Sequence, residues 1–168
     1  MVWLIAIATV QLDVNMPDRF NLYCINEKDE KEKIVMIHAA LMGSIERFLS
    51  ILIEHFAGKF PLWLSPVQMS VITVTDRNIE FAKEVTNKLK EDNIRVELND
   101  NQETLGKKIR DAQLMKHNYI VTIGDKEVKS KTLAIRTREG KVKFNVKVNE
   151  FLDLLNEEIK SRSLTSKI

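Results

Sequence analysis

A run of apolar residues at helical spacing, halted by glycine and two prolines, limits what this chain can build. Ile45, Phe48, Leu49, Leu52, Ile53 and Phe56 recur three and four residues apart, which predicts an amphipathic helix from Ser44 to Phe56. Ala57-Gly58 closes it, and Pro61 and Pro66 forbid its resumption. So wide an apolar face has to pack on a sheet. Upstream, strands are predicted at 3–14, 20–25 and 34–38, separated by a Met16-Pro17-Asp18 turn and a charged loop, 26–33. This is an antiparallel meander with no partners for its outer strands, too little for a core of its own. Residues 1–60 therefore read as the closing part of a larger domain.

Beyond the Pro61–Pro66 connector the pattern changes to alternating strands and helices. Strands are predicted at 67–75, 94–98, 119–123, 133–137 and 142–148, and helices at 78–92 and 103–116. Asn149 is placed as the cap of a last helix. The order βαβαβββα predicts an α/β fold for 61–168, a mixed sheet flanked by helices, behind an incomplete antiparallel remnant.

Net charge is only +2, but it is unevenly spread. Residues 105–147 carry 12 Lys/Arg against 4 Asp/Glu. So basic a region in a near-neutral chain points to a polyanion-binding face; the alternative is a solvated lysine-rich surface. One cysteine, Cys24, excludes an internal disulfide and favours a reducing, cytoplasmic compartment. The apolar start lacks a basic lead and a well-placed cleavage site, and no apolar run is long enough to cross a membrane.

The segments TVQLDVNMPDRF (9–20), VMIHAALMGSIERF (35–48), FPLWLSPVQ (60–68), LGKKIRDAQ (105–113), IVTIGDKEV (120–128) and AIRTREGK (134–141) stand in an order and spacing that resemble the C-terminal end of the threonyl-tRNA synthetases, a class II aminoacyl-tRNA synthetase family. The second segment resembles the third class-defining motif, and the chain from about Leu64 resembles the anticodon-binding domain shared by several class II synthetases.

The resemblance implies ATP-dependent attachment of threonine to its tRNA, with zinc holding the threonine amino and hydroxyl groups. It places Arg47 against the ATP phosphates, where a guanidinium supplies charge and a planar donor fork; otherwise Arg47 is a helix-surface cation near Glu46 or Glu54. Gly43 and Ser44 would let substrate approach the backbone, or merely cap the helix. Gln11 matches a threonine-pocket glutamine, or is an ordinary polar residue of a strand; His38 matches one of three zinc ligands, or is a strand-end histidine. The other two ligands and the first two class motifs have no counterpart here, and Ala6 stands where the family's ATP-site glutamine falls. Neither ATP nor zinc is therefore expected on this chain alone.

On the anticodon side, Lys107 and Arg110 share a helix face, with Lys116 at its end. Under the resemblance, Glu127 and Arg136 match base-reading positions and Arg110 matches another contact; Gln102 replaces an asparagine and Lys116 an arginine. Locally, Glu127 has Lys126 and Lys129 to pair with, and Arg136 reads as a strand-surface charge. The expected partner is tRNA, with no DNA or membrane. Two further expectations stand beside it: one half of a split enzyme that needs a second chain with the catalytic domain, or an inactive piece that dimerises through the exposed helix.

Overall fold

The computed structural model describes residues 8–40 and 42–168. The start of the 3–14 strand and Ala6 lie outside them. The chain forms two compact units, 1–55 and 56–168.

In the first unit, β1 (Thr9–Asp13) pairs antiparallel with β4 (Met36–Ala40), with Gln11 opposite His38 and Leu12 opposite Ile37. A separate hairpin joins β2 (Tyr23–Ile25) to β3 (Lys31–Lys33). The expected meander is thus replaced by two two-stranded sheets. The reason lies in the stretch expected to be a charged loop. Asn26 Oδ1 accepts from the amides of Lys28 at 2.9 Å and Glu30 at 3.0 Å, so the turn closes early and Lys31–Lys33 becomes the returning strand. The chain leaves that hairpin at Ile34 and goes to β1 instead. The expected turn at 16–18 is a short helix, α1 (Asn15–Arg19), because Asp13 Oδ1 accepts from the amides of Asn15 and Met16, each at 2.9 Å.

The predicted amphipathic helix is α2 (Ile45–Phe56). Ala57 and Gly58 follow it with φ of 48° and 72°, the left-handed geometry of a helix stop. None of its residues is buried.

The second unit holds β5 (Met69–Thr73), α3 (Ile79–Glu91), β6 (Val96–Asn99), α4 (Leu105–Leu114), β7 (Tyr119–Ile123), α5 (Asp125–Ser130), β8 (Thr132–Thr137), β9 (Val142–Lys147) and α6 (Val148–Lys160). The sheet order is β6-β5-β7-β8-β9, parallel across the first three strands and antiparallel across the rest. Strand alternation splits the sheet into two faces. Met69, Val71, Tyr119, Val121, Leu133 and Ile135 line one face, under Phe81, Val85 and Leu89 of α3 and Phe151 and Leu155 of α6. The other face is covered more thinly: Ile72 and Ile120 pack under Ala112 and Ile109 of α4.

Two local expectations need correction. Asn149 is not the cap of α6, whose cap position is Lys147; its carboxamide accepts from Lys88 Nζ at 2.5 Å. The sequence pattern also missed α5, whose six residues are too few to show a period. It is set instead by Gly124, where an added Cβ would stand 3.1 Å from Glu127 Oε2 and 3.3 Å from Val74 Cγ2. Glycine there lets the helix start close against Val74, just past β5.

Candidate nucleic-acid interface

The two faces of the sheet differ in what they leave open. On the α4 side, α4 covers β5 and β7, and Thr132, Ala134 and Arg136 of β8 alternate onto the same face beyond it. Arg136 lies opposite Ile120 on β7 and Val142 on β9. It is half-buried and makes no side-chain hydrogen bond or ion pair among the described residues.

Helix α4 presents its cations by rotation. Leu105, Ile109 and Ala112 face the sheet, and Asp111 and Met115 line a groove with Glu97 and Asn99 of β6. At about 100° per residue, Gln113 falls on the opposite flank, toward β7 and β8, and Arg110 falls on the outer side of the helix beside Lys107. Arg110 therefore points outward from α4, on the half of the helix that carries Gln113. It is exposed and has no partner among the described residues. Lys107 points away from the sheet and is held by Glu103, which raises its pKa through the hydrogen bond and the carboxylate charge.

The other expected contacts are placed differently. Glu127 neither pairs with Lys126 or Lys129 nor stands free: its Oε2 accepts from the Gly124 amide at 3.0 Å, capping α5. Lys116 is held by its own chain, donating from Nζ to the Ala57 carbonyl at 2.6 Å. Gln102 lies in the loop after β6, three strand spacings from β8, or about 14 Å. So Arg136 stands on the sheet face beyond α4, Arg110 and Lys107 on the outer side of α4, and Gln102 at the far edge of the sheet, while Glu127 and Lys116 are held by local bonds.

Sequence reasoning missed Lys108. It is 3% exposed and donates from Nζ to the Thr73 carbonyl at 3.0 Å and to Thr73 Oγ1 at 3.3 Å. Its position one turn from Ala112, on the apolar side of α4, was the available signal.

Family comparison adds to this geometry. Residues 68–158 match the anticodon binding domain, and residues 4–56 match the tRNA synthetase class II core domain (G, H, P, S and T). A threonine–tRNA ligase of Thermotoga neapolitana is 47% identical over 94% of this chain and 24% of its own length. One from Chlamydia caviae is 50% identical over 94% of this chain and 25% of its own. The chain belongs to the threonyl-tRNA synthetase family. It spans about a quarter of the length of these curated relatives. The RNA-binding domain of threonyl-tRNA synthetase from Cryptosporidium parvum superposes with a TM-score of 0.77 at 34% identity, over 95% of this chain and 40% of that one.

Against the threonyl-tRNA synthetase pattern, the first unit brings two expected residues together: Gln11 and His38 are direct cross-strand neighbours. Asp13, two residues along β1, reaches His38 Nε2 with Oδ2 at 3.2 Å. Its carboxyl lies below the usual carboxylate range, chiefly because the Met16 amide donates to it, then through Asn15 and His38. Gly43 has a φ of 57°, and Ser44 donates its hydroxyl to Glu46, lowering the Glu46 pKa. Arg47 is exposed on α2 and has no side-chain partner among the described residues.

Zinc does not fit the residues present. An open catalytic site needs three protein ligands. His38 and Asp13 supply two, Cys24 sits in the β2–β3 hairpin, and no group of three His, Cys, Asp or Glu side chains converges among the described residues. No helix among the described residues is long and apolar enough to cross a membrane.

Proposed function

We propose that this chain binds the anticodon loop of a tRNA, with threonine tRNA as the cognate, on the open half of its five-stranded sheet. The observation that carries this reading is Arg136, a half-buried arginine without a protein partner on an uncovered sheet face. A guanidinium there presents a planar donor fork to a base edge, with guanine the best acceptor. Arg110, on the outer side of α4, supplies a phosphate contact. Lys107 and Gln102 extend the cationic margin, and the remaining oxygen of Glu127 accepts from a base amino group. Lys116 acts through the carbonyl it holds. Unpaired loop bases are splayed and readable, which suits such a face.

In the setting of the whole relatives, this binding serves ATP-dependent attachment of threonine, in the cytoplasm. Arg47, Gly43, Ser44 and Gln11 then belong to the ATP and threonine pocket, and His38 to the zinc set. These 168 residues do not carry the reaction alone.

The test is filter binding of threonine tRNA and one other tRNA to the whole chain at two salt concentrations. Tighter binding of threonine tRNA, lost in Arg136→Ala, supports the proposal. Equal weak binding of both tRNAs, unchanged by Arg136→Ala, overturns it.

A second reading concerns the first unit and is favoured by its surface. Val10, Leu12 and Ile37 share the face of β1 and β4 opposite Gln11, and are 71%, 68% and 64% exposed. Ile45, Leu49 and Ile53 of α2 are exposed as well. Apolar area of this extent marks an interaction surface. Its occupant is the catalytic part of a threonyl-tRNA synthetase, with a second copy of this chain as the competitor. Sedimentation of the whole chain, alone and mixed with a catalytic domain lacking these residues, separates the two: a mixed complex supports the reading, and a homodimer that excludes that domain overturns it.

A further inference from the structure

Strand β9 closes the open half of the sheet, and its sequence puts an aromatic residue where packing does not need one. Phe144 is 68% exposed. Val142 lies directly opposite Arg136, and alternation along β9 sets Phe144 on the same side as Val142. The ladder is irregular between Leu133 and Ile135, where Asn145 takes a φ of 56°. This bulge sits beside Ala134, whose small side chain forms a shallow floor. Lys147 lies opposite Thr132 at one end of the strip, and Arg136 stands at the other. Neither has a side-chain partner among the described residues.

The strip thus runs cation, aromatic, cation, with successive positions about 7 Å apart along the strands. We propose that Phe144 is a stacking platform for one unpaired base of the RNA loop, with Arg136 and Lys147 holding the flanking backbone. The inference rests on the anticodon-loop reading and adds a contact of a different kind. Stacking on a ring face tolerates any base, so Phe144 contributes affinity, whereas Arg136 contributes discrimination. A second copy of this chain is the rival occupant of so exposed a ring. Lys141, Lys143 and Lys147 oppose that, since a lysine-rich edge strand repels its own copy and attracts phosphate.

The experiment uses the whole chain and synthetic anticodon stem-loops, each with one loop nucleotide made abasic. Phe144→Ala is expected to weaken the cognate and a non-cognate loop by the same factor, about ten-fold. Phe144→Tyr should restore binding. One abasic position should weaken the wild type by a similar factor and have no effect on Phe144→Ala, which identifies the stacked base. Because the ring is exposed, the variant's melting temperature should match the wild type, which makes a loss of binding local. Unchanged binding by Phe144→Ala while Arg136→Ala fails would overturn the stacking role and leave the anticodon reading intact. A change in self-association without a change in RNA binding would overturn it in favour of the second copy. Absence of RNA binding by the wild type would overturn both readings.

Discussion

The Tyr119 phenol donates to Glu158 Oε2 at 2.6 Å in the core of the second unit, and the Ser166 hydroxyl lies 2.8 Å from the same phenol oxygen. The Lys167 amide also donates to Glu158 Oε2, at 3.3 Å. Strand β7, helix α6 and the C-terminal tail therefore meet at one buried carboxyl. Burial is the main reason that the Glu158 pKa is raised, outweighing the Tyr119 hydrogen bond. It also raises the Tyr119 pKa.

A raised folded-state pKa means that the native state binds a proton before the unfolded chain does. Glu158 thus contributes stability at low pH that is lost as pH rises from the usual carboxylate range through its raised value. Glu158→Gln keeps an acceptor for Tyr119 and removes the titration. Denaturant melts across that window should show a flatter stability–pH curve for Glu158→Gln than for the wild type. Parallel curves would refute the assignment. Tyr119→Phe should cost about 1–3 kcal/mol, because it leaves the buried carboxyl short of a donor.

The buried ammonium of Lys108 makes a separate prediction. Its bonds to Thr73 are polar but uncharged, and no carboxylate faces it within ion-pair distance among the described residues. Lys108→Met fills the same space and leaves the Thr73 carbonyl without this donor. It should destabilise the second unit by about 1–3 kcal/mol in urea titrations, with α4 exchanging its amide hydrogens faster. A variant as stable as the wild type would mean that water replaces the ammonium at Thr73.

How much of this was legible in the sequence depends on the range of the interaction. Periodicity found α2, α3 and α4, because an apolar face repeats within a single element. The strand Tyr119–Ile123 was bounded correctly because a buried β-branched run ends at Gly124. The β1–β4 pairing was not legible: β2 and β3 lie between those strands in the chain, and only Asn26, acting through its side chain, decides where the intervening hairpin turns. The local alternative for Glu127, pairing with Lys126 or Lys129, fails for a related reason. A carboxylate between two lysines looks paired, yet the Gly124 amide three residues back is nearer and already oriented. The resemblance named Arg110 and Arg136, but it gave no hint that Phe144 shares the sheet face of Arg136, since a bulged strand hides its register.

The connector is a further test of the second unit. Gln68 is buried, donates from Nε2 to the Leu62 carbonyl at 2.9 Å, and accepts from the Arg95 amide with Oε1 at 2.8 Å. Arg95 adds bonds to the carbonyls of Ser65 at 2.8 Å and Trp63 at 3.1 Å. One amide side chain thus ties the 61–65 turn to the start of β6. Gln68→Ala removes both bonds and leaves a cavity, for a loss of roughly 2–4 kcal/mol. Thermal melts should show the drop, and a loss under about 1 kcal/mol would mean that Arg95 alone suffices.

Salt dependence separates the two arginines of the interface. Arg110 on the outer side of α4 is assigned to phosphate, and Arg136 on β8 to a base edge. Each phosphate contact releases counterions, so removing one lowers the slope of log K against log salt by about 0.7 on a single strand. Arg110→Ala should lower that slope by about this amount and weaken all loop sequences alike. Arg136→Ala should change the slope less and reduce the preference for the cognate loop by roughly ten-fold, the scale of one bidentate base contact. Measured binding of two loops at four salt concentrations decides it. If Arg110→Ala altered discrimination while Arg136→Ala altered only the slope, the roles would be exchanged, and the base-reading position would move from the sheet to the helix.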